Sequence, residues 1–378
     1  MGKLSTYLRT HPLSILLLAL PMAMIAEYAH WSPTLVFLLS AVGVIPMAGY
    51  IGEATEALAE HTGPRIGGLL NATLGNAAEL IITLVAIQAG LLELVKASIT
   101  GSILGNLLLV MGLAMVVGGT RHGLQTFDRR QTGNHSILLI LSILALVIPS
   151  FFSHSIGPET SIQVEAFSLG VAAIMIVLYM LGLLYSLRSA KGTKQPGAAG
   201  KTDVVEENAP LAYPPADGIP HVHWSVRKAV VILALATLGI VVLSELLVGA
   251  VEHVVAGLGL SEFFLGIILI PIVGNVAEHL VAVQVAARNQ MDLSVEIAIS
   301  SSLQVALFVA PLLVFVSLLM GHPLTLVFNP FELAALGAGV LVVALVSIDG
   351  ESNWLEGATL MAIYLILGIA FFLLPTAG

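Results

Sequence analysis

The chain has 378 residues, of which 57 % are apolar and only 10 % charged, and its mean hydropathy is +1.00. A soluble domain carries about 25 % charge, so this composition excludes an ordinary soluble globular protein and a disordered chain and points to a polytopic membrane protein. The formal net charge of −9, from 14 Lys+Arg against 23 Asp+Glu, argues against a nucleic-acid partner. The absence of cysteine excludes disulfides and thiolate metal sites.

A membrane-crossing helix needs about 20 mostly apolar residues. Eleven such runs lie near 12–29, 33–59, 64–90, 93–119, 134–153, 162–187, 227–256, 260–288, 293–320, 329–348 and 354–375. The alternating ten-residue strands of a membrane barrel are missing, and backbone groups in lipid must be satisfied internally, so the expected fold is all-α. The first run also fits a secretory signal peptide, whose removal leaves the remaining topology unchanged. With the N-terminus in the cytoplasm, Lys3, Arg9, Arg65, Arg121, Arg129, Arg130, Arg188, Lys191, Lys194, Lys201, Arg227, Lys228 and Arg288 all fall inside. Lys96 is the exception among the 14 basic residues. This asymmetry sets the orientation and places the C-terminus outside. Residues 188–225 are polar and rich in Pro, Gly and Ala, as a flexible cytoplasmic linker is. The expected organisation is an extra helix over 1–30, a five-helix repeat over 31–187, the linker, and a second five-helix repeat over 226–378.

The repeat is visible in the sequence. Gly75-Asn76-Ala77-Ala78-Glu79 recurs as Gly274-Asn275-Val276-Ala277-Glu278 at an offset of 199, which also maps Gly67 onto Gly266 and Glu53 onto Glu252. One inserted residue later, Ile99-Thr100-Gly101-Ser102 lies over Ile299-Ser300-Ser301-Ser302. Five spans separate the two motifs, so they enter the membrane from opposite sides. Inverted repeats with polar midplane helices are a transporter design.

Glu79 and Glu278 each fall near the middle of a span, where a charge costs at least about 2.5–3.5 kcal/mol. With no basic partner at that depth except His279 beside Glu278, two nearby carboxylates need protons or a cation to neutralise them. Glutamate and asparagine oxygens are hard ligands suited to Ca²⁺ and to Mg²⁺ or Mn²⁺. Asn76 and Asn275 precede each Glu by three residues on the same helix face. Gly75, Gly274 and Pro271 are expected to loosen the helices there. Ser98, Ser102 and Asn106 on one partner helix, and Ser301, Ser302 and Gln304 on the other, stand at matching depth. Two protons or one divalent cation each balance the pair, and their competition is a mechanism of exchange.

On these residues the chain resembles the calcium/cation antiporter superfamily, and within it the proton-coupled cation exchangers. The resemblance rests on the paired Gly-Asn-x-Ala-Glu motifs, the adjoining His279, and the stretches Gly101-Ser102-Ile103-Leu104-Gly105-Asn106 and Ser301-Ser302-Leu303-Gln304. It implies Ca²⁺/H⁺ antiport with Glu79 and Glu278 as the central cation site and Asn76, Asn275, Ser102, Ser301 and Gln304 as nearby ligands. It implies no cofactor beyond the transported ions. Sodium-coupled relatives carry a Gly-(Thr/Ser)-Ser-x-Pro-Glu version of the motif; Asn in its place and no Pro before either Glu favour protons. Ser301 departs from the pattern, since Gly101 leads one to expect Gly there. The linker departs too, with Asp203, Glu206, Glu207 and Asp217 as its acids. A sodium-coupled or Mn²⁺-preferring exchanger is the neighbouring reading, and a passive cation channel the reading from another class. A membrane metalloprotease lacks its His-Glu-x-x-His signature here. The expected location is a prokaryotic plasma membrane.

Glu53, Glu56 and Glu60 form a stripe at the inner end of the second span, either a solvated helix end or a cation attractor. Glu252, the repeat partner of Glu53, would mark the opposite entrance. Glu245 lies deeper, where the proton path is a candidate role. His279 fits a proton relay or a hydrogen-bonded core histidine. Glu27, Glu165 and Glu332 stand near span ends, where solvation is expected, and His221 and His223 form a weak metal pair.

Overall fold

In the computed structural model, residues 12–189 and 224–374 are described. The expectations for most of the linker, for His221 and His223, and for Lys3, Arg9 and the extreme C-terminus lie outside them. The described chain is almost wholly helical. Eleven helices follow in order: α1 (Ser14–Tyr28), α2 (Pro33–Leu74), α3 (Ala77–Gln88), α4 (Leu92–His122), α5 (Arg129–Ile156), α6 (Ile162–Ser189), α7 (Val226–Leu258), α8 (Glu262–Ala286), α9 (Met291–Leu319), α10 (Pro330–Val346) and α11 (Trp354–Leu373). By length and composition eight are long and apolar enough to cross a membrane; α1, α3 and α10 are shorter apolar helices.

The expected break between the second and third spans takes a different form. Helical backbone runs on to Leu74, yet a Cβ on Gly67 would lie 2.9 Å from the Ala59 Cβ. A straight helix separates residues eight apart by about 12 Å. The chain therefore bends sharply between them, where the sequence carries Gly63-Pro64. The interruption falls instead at Gly75-Asn76, between α2 and α3. In the second motif the expectation of a loosened helix at Gly274 and Pro271 is not met: α8 stays helical through both. Its loosening lies earlier, as a widened π turn at Leu265–Leu269. Matching π turns stand at Gly105–Val110 in α4 and Val305–Val309 in α9, 200 residues apart.

Small residues set how closely the helices approach. Gly43 faces Leu243, and Gly239 faces Met47, so α2 and α7 cross antiparallel. The α4 backbone lies directly on α8: a Cβ at Gly101 would collide with the Ile267 carbonyl and the Pro271 ring, and one at Gly266 would lie 2.8 Å from the Leu94 carbonyl. Gly101→Ala is therefore expected to lower stability by about 1–3 kcal/mol, the usual cost of overpacking, read as a lower melting temperature in detergent. Apolar side chains such as Ile174 and Leu181 on α6 and Leu235 and Leu238 on α7 are exposed, as lipid-facing surfaces are.

The loops are tied locally. Gln125 pairs with Ser352 and Thr126 with Glu351 in a two-residue antiparallel bridge. Asp128 caps α5 by accepting from the Arg130 and Gln131 amides, and Asn329 and Asn353 cap α10 and α11 with reciprocal bonds from Glu332 and Glu356.

Candidate cation site

The two motifs meet in the interior. Each motif glycine faces the glutamate of the other: a Cβ on Gly274 would lie 3.4 Å from Glu79 Cγ, and one on Gly75 would lie 3.6 Å from Glu278 Oε1. A Cβ at either glycine would touch the opposing glutamate at ordinary van der Waals distance, and at Gly75 it would also lie 2.6 Å from the Asn71 carbonyl, so the backbone and not the carboxylate demands Gly there.

The interruption before α3 places Asn76 at the cap position and Glu79 in the first helical turn. Asn76 does not cap; its Nδ2 donates to Gln304 Oε1 of α9 at 2.6 Å. Asn275 on α8 donates to Ser102 Oγ of α4 at 3.2 Å and to the Pro271 carbonyl at 3.0 Å. A third line runs from His279 to the second glutamate. His279 Nε2 donates to Asn106 Oδ1 at 3.1 Å, Asn106 Nδ2 donates to Ser301 Oγ at 2.9 Å, and Ser301 donates to Glu278 Oε2 at 2.7 Å. Thr83 donates to the Glu79 carbonyl at 2.6 Å. All eight ligand candidates read from the sequence, Glu79, Glu278, Asn76, Asn275, Ser102, Asn106, Ser301 and Gln304, are thus brought to one place by α3, α4, α8 and α9.

Asn76, Glu79, Asn275, Ser102, Asn106, Ser301 and Gln304 are all buried, whereas Glu278 and His279 are half-buried. Both asparagines direct their amide nitrogens to protein partners. The opposite oxygens, Asn76 Oδ1 and Asn275 Oδ1, together with Glu79 Oε1, are buried without a hydrogen-bond partner. Buried polar atoms are otherwise nearly always paired. Unpaired carbonyl and carboxylate oxygens are the donor type that hard divalent cations take, and Ca²⁺ in particular accepts six to eight oxygens in flexible geometry. Among the described residues no three His, Cys, Asp or Glu side chains converge on a metal position. Two carboxylates supplemented by amide and hydroxyl oxygens is the composition here.

The remaining expectations separate. Ser302 bonds back to the Ala298 carbonyl at 2.9 Å and reaches the Ile103 carbonyl of α4 at 3.5 Å, so its hydroxyl is taken up by backbone. His279 is hydrogen-bonded, as the core reading requires, and reaches Glu278 only through Asn106 and Ser301. Glu53 is half-buried, and Glu56, Glu60, Glu245 and Glu252 are exposed. Glu332 corrects the expectation of a solvated span end. It is buried, accepts from Thr100 Oγ1 at 3.0 Å, and takes the Asn329 amide at 2.8 Å. Lys96 is likewise 4 % exposed, paired with Glu159 and 3.7 Å from Glu93. Sequence reading overlooked these pairings, in which Lys96 is buried and its acidic partners exposed, and a polar cluster of Asp128, His135, Asp292 and Glu296. The 200-residue offset held the signal, since it maps Lys96 onto Glu296 and Thr132 onto Glu332.

The fold is that of a helical membrane protein in whose interior each motif glutamate meets the other motif's glycine. The chain belongs to the sodium/calcium exchanger protein family, whose model matches residues 32–188 and 228–373. It is 42 % identical over 366 residues to a Ca(2+)/H(+) antiporter of Aphanothece halophytica, covering 95 % of this chain and 96 % of that one. It is 44 % identical over 355 residues to the Ca(2+)/H(+) antiporter ChaA of Bacillus subtilis (strain 168), covering 94 % and 96 %. Among solved structures, native YfkE superposes with a TM-score of 0.80 at 40 % identity, covering 96 % of this chain and all of the other.

Proposed function

We propose that this protein is a Ca²⁺/H⁺ antiporter that exports cytoplasmic Ca²⁺ in exchange for protons at a midplane site made by Glu79 and Glu278. The observation that carries the reading is the pair of glutamates packed on each other's motif glycines, beside the unpaired oxygens of Asn76, Asn275 and Glu79. The similarity to curated Ca(2+)/H(+) antiporters along nearly the whole chain supports it.

Charge balance sets the exchange. One divalent cation or two protons neutralise the two carboxylates, so each species displaces the other. Asn76, Asn275, Ser102, Asn106, Ser301 and Gln304 orient the pair or supply further oxygens, and the same hard donors accept Mn²⁺. The antiparallel α2–α7 crossing, the paired π turns and the reciprocal glycine contacts fit two inverted five-helix repeats. Such repeats let one site open alternately to each side. Glu53 and Glu252 take equivalent places at opposite entrances, and Glu245 stands beside the proton path. The bacterial relatives and the distribution of Lys and Arg support a plasma-membrane location with a cytoplasmic N-terminus.

The test uses purified protein in liposomes. A pH gradient in sodium-free buffer is expected to drive ⁴⁵Ca²⁺ uptake, with no added uptake from an imposed sodium gradient. Uptake that requires sodium would move the protein to the sodium-coupled branch, and uptake indifferent to either gradient would make it a channel.

A further inference from the structure

The first turns of α4 carry two polar stripes on opposite faces. Lys96 and Thr100 follow at i and i+4, and Ser98 and Ser102 do the same. At about 100° per residue the two pairs stand about 200° apart around the helix. One stripe serves the cation site. Ser102 Oγ accepts from Asn275, and Asn106, in the π turn beyond, links His279 to Ser301, the donor to Glu278. The other stripe faces away from it. Lys96 is buried and paired with Glu159, in the turn between α5 and α6. The same Glu159 oxygen accepts from Thr325 Oγ1 at 2.6 Å, in the turn between α9 and α10. One helical turn on, Thr100 donates to Glu332 Oε1 at 3.0 Å, and the other Glu332 oxygen is held by the Asn329 amide that opens α10.

A helix gripped at two successive turns on one face resists rolling about its axis. The roll of α4 aims Ser102 and Asn106, and through them Asn275 and Glu278 of the second motif. Ser102 and the Pro271 carbonyl together hold the Asn275 amide nitrogen, which leaves Asn275 Oδ1 unpaired. The repeat supplies a second instance with the residue types redistributed. At an offset of 200, α9 has Glu296 and Ser300 where α4 has Lys96 and Thr100, and α5 has Thr132 where α10 has Glu332. Glu296 takes a hydrogen bond from Gln131 of α5, and Glu296 and Thr132 line one cavity.

We propose that Lys96 and Thr100 are positioning residues for transport: through Glu159, Thr325 and Glu332 they fix the roll of α4 and so hold Asn275 and Glu278 in the orientation that takes the cation. This rests on the antiporter reading. Neither residue is a ligand. Without the grip the competent orientation is one of several, and the apparent Kd for Ca²⁺ rises by the inverse of its population. Saturating Ca²⁺ restores that orientation, so the maximal rate stays. The ion pair is also asymmetric, since Lys96 is buried while the Glu159 side chain is 44 % exposed. Removing Glu159 strands a buried charge, whereas removing Lys96 leaves a carboxylate that water reaches.

The experiment measures exchange of ⁴⁵Ca²⁺ for unlabelled Ca²⁺ in liposomes at equal pH over a range of Ca²⁺ concentrations, with the melting temperature in detergent alongside. Lys96→Met and Thr100→Val are each expected to raise KM for Ca²⁺ by about tenfold, as loss of a supporting partner does at metal sites, with the maximal rate unchanged. Lys96→Arg and Thr100→Ser, which keep the charge and the hydroxyl, should return KM to the wild-type value. Glu159→Gln should raise KM further than Lys96→Met, and the two combined should fall back to the level of Lys96→Met alone; this double variant tests the pair if either single one fails to fold. A wild-type KM in both Lys96→Met and Thr100→Val overturns the proposal, and so does a rise that Lys96→Arg and Thr100→Ser leave in place. A lower melting temperature and maximal rate at unchanged KM overturns it too, because that marks residues that only stabilise the fold. Wild-type protein without saturable Ca²⁺ exchange would instead overturn the antiporter reading on which the role depends.

Discussion

Glu79→Gln and Glu278→Gln are each expected to cut proton-driven ⁴⁵Ca²⁺ uptake by at least about 100-fold, the upper end of what loss of a mere supporting partner costs a metal site. Gln keeps the volume of Glu, so the contacts with Gly274 and Gly75 survive and the helices still pack. What is lost is one of the two negative charges that balance a divalent cation. The remaining carboxylate leaves a bound Ca²⁺ with a net positive charge in an interior that penalises it. At Glu79, where one carboxylate oxygen is buried without a partner, the change also replaces an oxygen with an amide N–H₂ that cannot bind a cation. At Glu278 the Ser301 hydroxyl still finds an acceptor, so that variant isolates the charge itself. Unimpaired uptake by either variant would refute the two-glutamate site.

The second large effect is on pH dependence. Ca²⁺ and protons occupy the same two carboxylates, so acid weakens Ca²⁺ binding and alkali strengthens it. While both groups must lose a proton for Ca²⁺ to bind, each unit of falling pH raises the apparent Kd by about 100-fold, or about 2.7 kcal/mol. If one group is already ionised the slope halves to about tenfold per unit. Titrating ⁴⁵Ca²⁺ binding to detergent-purified protein across pH gives the slope directly. An affinity flat with pH would remove the competition on which the exchange depends.

The helical membrane fold and the duplicated polar motif were legible in sequence because each leaves a one-dimensional trace. Lipid demands runs of about 20 apolar residues, and a duplicated polar motif stands out against them. Helix interruptions were less legible. The Gly-Asn step breaks the helix at Gly75-Asn76 but not at Gly274-Asn275, although the residue types are the same. The difference arises elsewhere, in the π turn at Leu265–Leu269, where α8 lies against the α4 backbone. The pairing of Lys96 with Glu159 and of Thr100 with Glu332 was illegible for a different reason. A charged residue near a span end reads as solvated unless its partner, 63 or 232 residues away, is known.

The ion pair of Lys96 has a bearing on how the protein is made. Glu159 follows Lys96 by 63 residues. At roughly 5–20 residues per second, α4 leaves the ribosome some 3–13 s before that partner exists. During this interval the nearest counter-charge is Glu93, one turn earlier on the same helix. A lone lysine in an apolar segment is poorly retained in lipid. The membrane-insertion machinery must therefore shelter α4 until the α5–α6 hairpin has been threaded, and a chain halted before Glu159 should be released from it more slowly than one halted beyond.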